Sequence, residues 1–190
     1  MANSRRGSVV ALDGRINVKR MEDAMADIDT ALAASRDAVD QLIRAGEQSG
    51  GAWIASRAPG KWSPSQIVEH VARTLEESAN MAAGRPSKFP RPPFFVRPIA
   101  RIVFKRVLRK AAFPKMKAVK AFDPASGPAT PAEGRIRLET AYQKFDEACR
   151  RIAADGRPFH PSFGAVPLQD YVRFMEIHTR HHGKQMVARQ

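Results

Sequence analysis

Cysteine is nearly absent from this chain of 190 residues, where Cys149 stands alone. A single thiol excludes an intramolecular disulfide and any zinc site built from several cysteines, and it fits a reducing compartment. Aromatic residues make up only 7%, so the core must come largely from Ala, Val, Ile, Leu and Met, as helical packing allows. No apolar run approaches the roughly 20 residues that span a bilayer. Ser4-Arg5-Arg6 resembles the start of a twin-arginine signal, but the apolar stretch Val9 to Leu12 is too short and Asp13 ends it. A cytoplasmic protein with a loose basic N-terminus is expected. Convincing strands, internal repeats, a P-loop, a dinucleotide fingerprint and a Ser-His-Asp triad are also missing.

Acid is missing from one long segment. Between Ser78 and Phe122 there are twelve Lys or Arg and no Asp or Glu, while the rest of the chain carries 20 basic and 19 acidic residues. The net charge of +13 therefore belongs to that segment, not to the whole molecule. The hydrophobic fraction, 43%, is ordinary for a globular protein.

What is present is helical period. Residues 1–18 show none and are expected to be disordered; 19–190 are read as a single domain. From Arg20 to Gly46, Met21, Met25, Ile28, Leu32, Ser35, Val39 and Leu42 form one stripe. Ser63-Pro64-Ser65-Gln66 reads as an N-cap, a proline at the first helical position and a capping box. The helix it opens runs to about Ala83, with an inner stripe of Ile67, His70 or Val71, Thr74, and Glu77 or Ser78. Residues 84–129 form a proline-rich, basic insertion. Within it, Arg97 to Ala112 is amphipathic, with Ile99, Ala100, Val103, Phe104, Val107 and Ala111 on one arc and arginines and lysines on the other. Thr130 repeats the cap logic and opens a third long helix, striped by Leu138, Tyr142, Phe145, Cys149 and Ile152 and stopped at Asp155-Gly156. The last helix spans about Pro167 to Ala188. Four single-sided helices predict an all-α four-helix bundle, with an additional basic amphipathic helix inserted between helices 2 and 3.

Three of the five histidines fall within five residues, His178, His181 and His182. The last helix has the stripe Leu168, Tyr171, Met175, His178, His182 and Gln185, so His178 and His182 face the core one turn apart and His181 turns aside. His70 takes a stripe position on the second helix. If those helices are neighbours, three imidazoles from two helices meet inside the bundle. A lone inward histidine is ordinarily a hydrogen-bonded core residue, but three at this spacing favour a metal site with an open position. Ligand softness admits Zn, Ni, Fe or Co.

Trp62-Ser63-Pro64-Ser65-Gln66-Ile67-Val68-Glu69-His70-Val71, then His160-Pro161-Ser162-Phe163-Gly164, then His178-Thr179-Arg180-His181-His182-Gly183-Lys184-Gln185 together resemble the DinB-like superfamily. The closest likeness is to its subgroup with an H-P-x-F-G loop before an H-x-x-H-H helix. The resemblance covers about 20–83 and 130–190 and leaves out the basic insertion. It implies a four-helix bundle whose metal ligands are His70, His178 and His182. It also implies a metal-dependent enzyme of transferase or hydrolase type, in some relatives with a low-molecular-weight thiol as cofactor. There the metal would hold the thiol sulfur as thiolate, and in a hydrolase it would activate water. The alternative is a non-enzymatic binding protein with a structural or vacant triad.

Weaker candidates for catalytic roles are Glu77, seven residues after His70, and Tyr171 and Gln185, which flank the paired histidines. Each has an ordinary reading at a bundle end or interface. His160 is expected to be a structural hydrogen-bonder and Cys149 a small buried residue. Arg97 to Lys120 admits three readings: packing on the bundle, which an internal amphipathic helix favours, an anionic membrane surface, or nucleic-acid phosphates, the weakest because no reader motif is present. A small-molecule substrate and a second copy of the chain are the other expected partners.

Overall fold

The computed structural model describes residues 7–56, 58–114, 119–152 and 156–186. Its helices are α1 (Gly7–Glu47), α2 (Pro64–Ala82), α3 (Arg97–Lys110), α4 (Pro131–Arg150) and α5 (Leu168–Met186). The predicted all-α bundle is what the chain forms. α1 packs mainly on α5 and α2 on α4; α1 with α4 and α2 with α5 complete it, and α3 lies against α5. Among the described residues no helix is long and apolar enough to cross a membrane.

The caps work as local chemistry dictates. Ser63 Oγ accepts from the Gln66 N–H, and the Gln66 side chain accepts from the Ser63 N–H, so the capping box is complete. Thr130 caps α4 by accepting from the Glu133 N–H. The side chain of Glu133 reaches back to the Ala129 N–H, one residue beyond the cap.

Three expectations change. α1 begins at Gly7, so residues 7–18 are helical and not disordered; no proline interrupts 7–46, and a helix once started continues at little cost. Residues 1–6 lie outside the described residues, as does the side chain of Met21. Met25 is 40% exposed, and the packed stripe starts at Ile28. A short hairpin, β1 (Phe159–His160) with β2 (Gly164–Ala165), precedes α5. Strands of two residues show no period to read, and Gly164, at φ +76°, supplies the left-handed backbone.

The third change is the rotation of α3. It buries Phe104 and Val107 and leaves Ile99 and Ile102 exposed. Phe104 packs against Phe163 and Phe174, each ring 5.0 Å away. Those aromatics select one edge of the predicted apolar arc and leave the other outside. The helix ends at Ala111, which is left-handed at φ +45°. Residues 115–118 and 153–155, with the expected Asp155 stop, lie outside the described residues, as do 187–190.

Candidate metal centre

His70 stands about two turns into α2, and His178 and His182 stand one turn apart on α5. The helices face each other, so the three rings meet. His178 Nε2 lies 3.3 Å from His70 Nε2 and 3.2 Å from His182 Nε2. One ligand nitrogen from each ring lies within 4.8 Å of the others. Two nitrogens sharing an ion at zinc-like bond lengths and a tetrahedral angle stand about 3.3 Å apart, so both short separations fit a shared ion. His70 and His182 are buried and His178 is partly exposed.

The outer nitrogens set the tautomers. His70 Nδ1–H donates to the Phe122 carbonyl at 2.9 Å, and His182 Nδ1–H donates to Gln185 Oε1 at 3.0 Å. Each bond leaves Nε2 as a bare lone pair aimed at its neighbours. Among the described residues the Nδ1 of His178 is buried without a hydrogen-bond partner. A neutral His178 has one proton and two close nitrogen neighbours. It can bridge at most one of them, and the lone pair of the other is left without a donor. A cation among the three nitrogens relieves both contacts.

Burial is the first cause that pushes all three imidazoles below their ordinary value of 6.5, His182 to about 3. Neighbouring rings add to it, since a charge on one disfavours a charge on the next. At neutral pH the site therefore presents three uncharged donors.

The end of the insertion laces onto the start of α2. The Pro128 carbonyl accepts from Trp53 Nε1–H at 2.8 Å and from the Ser65 hydroxyl at 2.7 Å. The Pro124 carbonyl accepts from Gln66 Nε2 at 3.1 Å, and Asp123 accepts from Trp62 Nε1–H at 3.1 Å. Gly127 is needed here, because a Cβ would stand 2.1 Å from the Ser65 carbonyl oxygen. This lacing brings the Phe122 carbonyl to His70.

Aromatic rings flank the triad. Trp62 lies 4.6 Å from the His70 ring and 6.0 Å from the His182 ring. Phe113, just beyond α3, lies 5.4 Å from the His178 ring and 5.7 Å from the His181 ring. Phe113 and the Phe122 carbonyl were not foreseen. A backbone carbonyl carries no side-chain signal, and its bond to His70 joins residues 52 apart. Trp62 did belong to the recognised motif, but its contact with the rings did not follow from spacing.

The other candidates separate. Gln185 holds His182 and also donates from Nε2 to His181 Nε2 at 3.0 Å. Glu77 accepts from the Lys88 backbone N–H at 2.8 Å and lines a polar cleft with Glu69, Arg73, Glu76 and Arg137. Ser78, not Glu77, takes the inner position, where its hydroxyl meets the Tyr171 hydroxyl at 2.7 Å. Tyr171 is thus paired in the core, two turns below His178. His160 Nδ1 accepts from the Ser162 N–H at 3.1 Å, the structural bond expected of it. Cys149 is buried, and its thiol is pushed up to about 12 by that burial, far from thiolate chemistry.

No curated protein and no solved structure matches the chain. The sequence profile of the DinB superfamily matches residues 31–186. That span reaches from within α1 to the last described residue of α5 and includes all three histidines. With most of its length matched and its helices arranged as such a bundle, the chain belongs to the DinB superfamily.

Proposed function

We propose that this protein is a metal-dependent enzyme of transferase or hydrolase type, the transferase using a low-molecular-weight thiol. His70, His178 and His182 would hold one divalent transition metal ion, Zn, Ni or Fe, through Nε2. The observation that carries this reading is the convergence of three Nε2 atoms at 3.2–3.3 Å about His178, with two outer nitrogens already engaged. Three neutral donors leave a bound ion its full charge and an open position, which suits acidifying a thiol or water and polarising a substrate.

The chain's own residues do the rest. The Phe122 carbonyl and Gln185 hold two rings in the metal-ready tautomer. Trp62, steadied by Asp123, and Phe113 limit water around the rings and offer apolar faces to a small substrate. Glu77 and Tyr171 make their bonds elsewhere, so neither is assigned a proton-transfer role.

Elemental analysis of the native protein tests the site. About one equivalent of transition metal is expected, lost in His182→Ala. Less than about a tenth of an equivalent, unchanged by His182→Ala, overturns the proposal. Turnover by the metal-loaded protein on electrophiles with added thiols, or on activated esters, tests the reaction type. Metal without turnover in either assay would favour a binding protein.

A further inference from the structure

α3 has two apolar edges, and the bundle uses one. Phe104 and Val107 are buried, with Leu108 packed beside them. On the outer edge Ile99 is 62% exposed and Ile102 66%, and just ahead of the helix Phe94 is 79% and Phe95 67% exposed. Phe95, Ile99 and Ile102 follow steps of four and three, so they form one ridge along α3. The ridge is not free to roll inward, because Phe163 and Phe174 already hold Phe104.

Cations surround the ridge. Arg101, Lys105, Arg106, Arg109 and Lys110 are all exposed on this helix, and no acidic residue lies between Ser78 and Phe122. An apolar ridge bordered by cations is complementary to a surface that offers hydrocarbon beneath negative charge. Soluble phosphates or a nucleic-acid backbone would satisfy the cations but leave Ile99 and Ile102 in water. A second copy of the chain would set this basic face against its own charge. At 14 residues, α3 is too short to span a bilayer and suited to lying in its plane.

We propose that the Phe94–Ile102 ridge of α3 docks on a bilayer carrying anionic headgroups, with Ile99, Ile102, Phe94 and Phe95 at the acyl boundary and Lys105, Arg106 and Arg109 at the phosphates. The assignment is independent of the metal centre.

Co-sedimentation of the whole protein with vesicles tests it. Vesicles of phosphatidylcholine mixed with phosphatidylserine should carry the protein down, while phosphatidylcholine alone should not. Lys105→Glu, Arg106→Glu and Arg109→Glu combined should weaken partitioning by about a hundredfold or more, since each cation near an anionic surface contributes about fivefold and each new carboxylate is repelled. Ile99→Ser with Ile102→Ser should weaken it roughly tenfold, with an unchanged melting curve because both side chains already face outward. His182→Ala should bind vesicles like the native protein, which separates failure of this proposal from failure of the metal reading. Absence of binding, or equal binding to both vesicles, overturns it. So does binding lost on charge reversal but untouched by the serine pair, with a duplex oligonucleotide competing. That pattern would mark a face for nucleic-acid phosphates.

Discussion

Gln185 decides which nitrogen of His182 is bare. Its Oε1 accepts the Nδ1 proton, and without that acceptor the proton can move to Nε2 and close the ligand position. Gln185→Leu should weaken metal affinity about 10–100-fold, measured by competition with a chromophoric chelator. Thermal stability of the metal-free protein should change little, because Gln185 is exposed. Native affinity in this variant would show that another group orients the ring. The histidines of the site were readable from sequence because helical phase places His178 and His182 on one stripe. Gln185 lies on that stripe as well, but its bond to His182 did not follow from phase. The acceptor for His70 was not, because it belongs to the backbone of a segment with no period of its own.

Helix α3 shows what phase alone leaves open. A helix with apolar residues on two edges can pack on either, and the choice is made by Phe163 and Phe174, which come much later in the chain. Phe104→Ala should cost about 3–5 kcal/mol, the loss expected for a buried ring. Ile102→Ala should stay within about 0.5 kcal/mol of native. Urea unfolding of both variants checks the rotation, and equal losses would mean the helix sits differently. Helix starts at Ser63 and Thr130 were legible because a cap is local: one side chain and one N–H three residues on. The start of α1 was not, since 7–18 lack a readable stripe yet contain nothing that stops a helix. The hairpin at Phe159–Ala165 was too short for alternation to register.

For the molecule as a whole, acid should destabilise more than its charge alone suggests. His160 is closed in by aromatic rings, with Phe163 at 4.1 Å and Phe89 at 4.5 Å, and burial pushes it down to about 3. In the unfolded chain it takes up a proton below its ordinary 6.5; in the folded chain it does not. Stability is therefore full above pH 6.5 and falls as pH drops toward 3, by about 1.4 kcal/mol per unit for one such group. In chelator, the thermal midpoint of the native protein should drop between pH 7 and pH 5, and His160→Phe should drop less. An identical pH slope in the two proteins would show that His160 titrates normally. The placement of the two tryptophans has an optical consequence. Trp53 is sealed in the core over Gly134, where a Cβ would stand 2.6 Å from its ring, while Trp62 lies against the His70 imidazole. Their emission should differ in colour, blue for the sealed indole and redder for the half-exposed one. An open-shell ion among the histidines would quench the red component first, so the protein's own fluorescence can count the ions it binds.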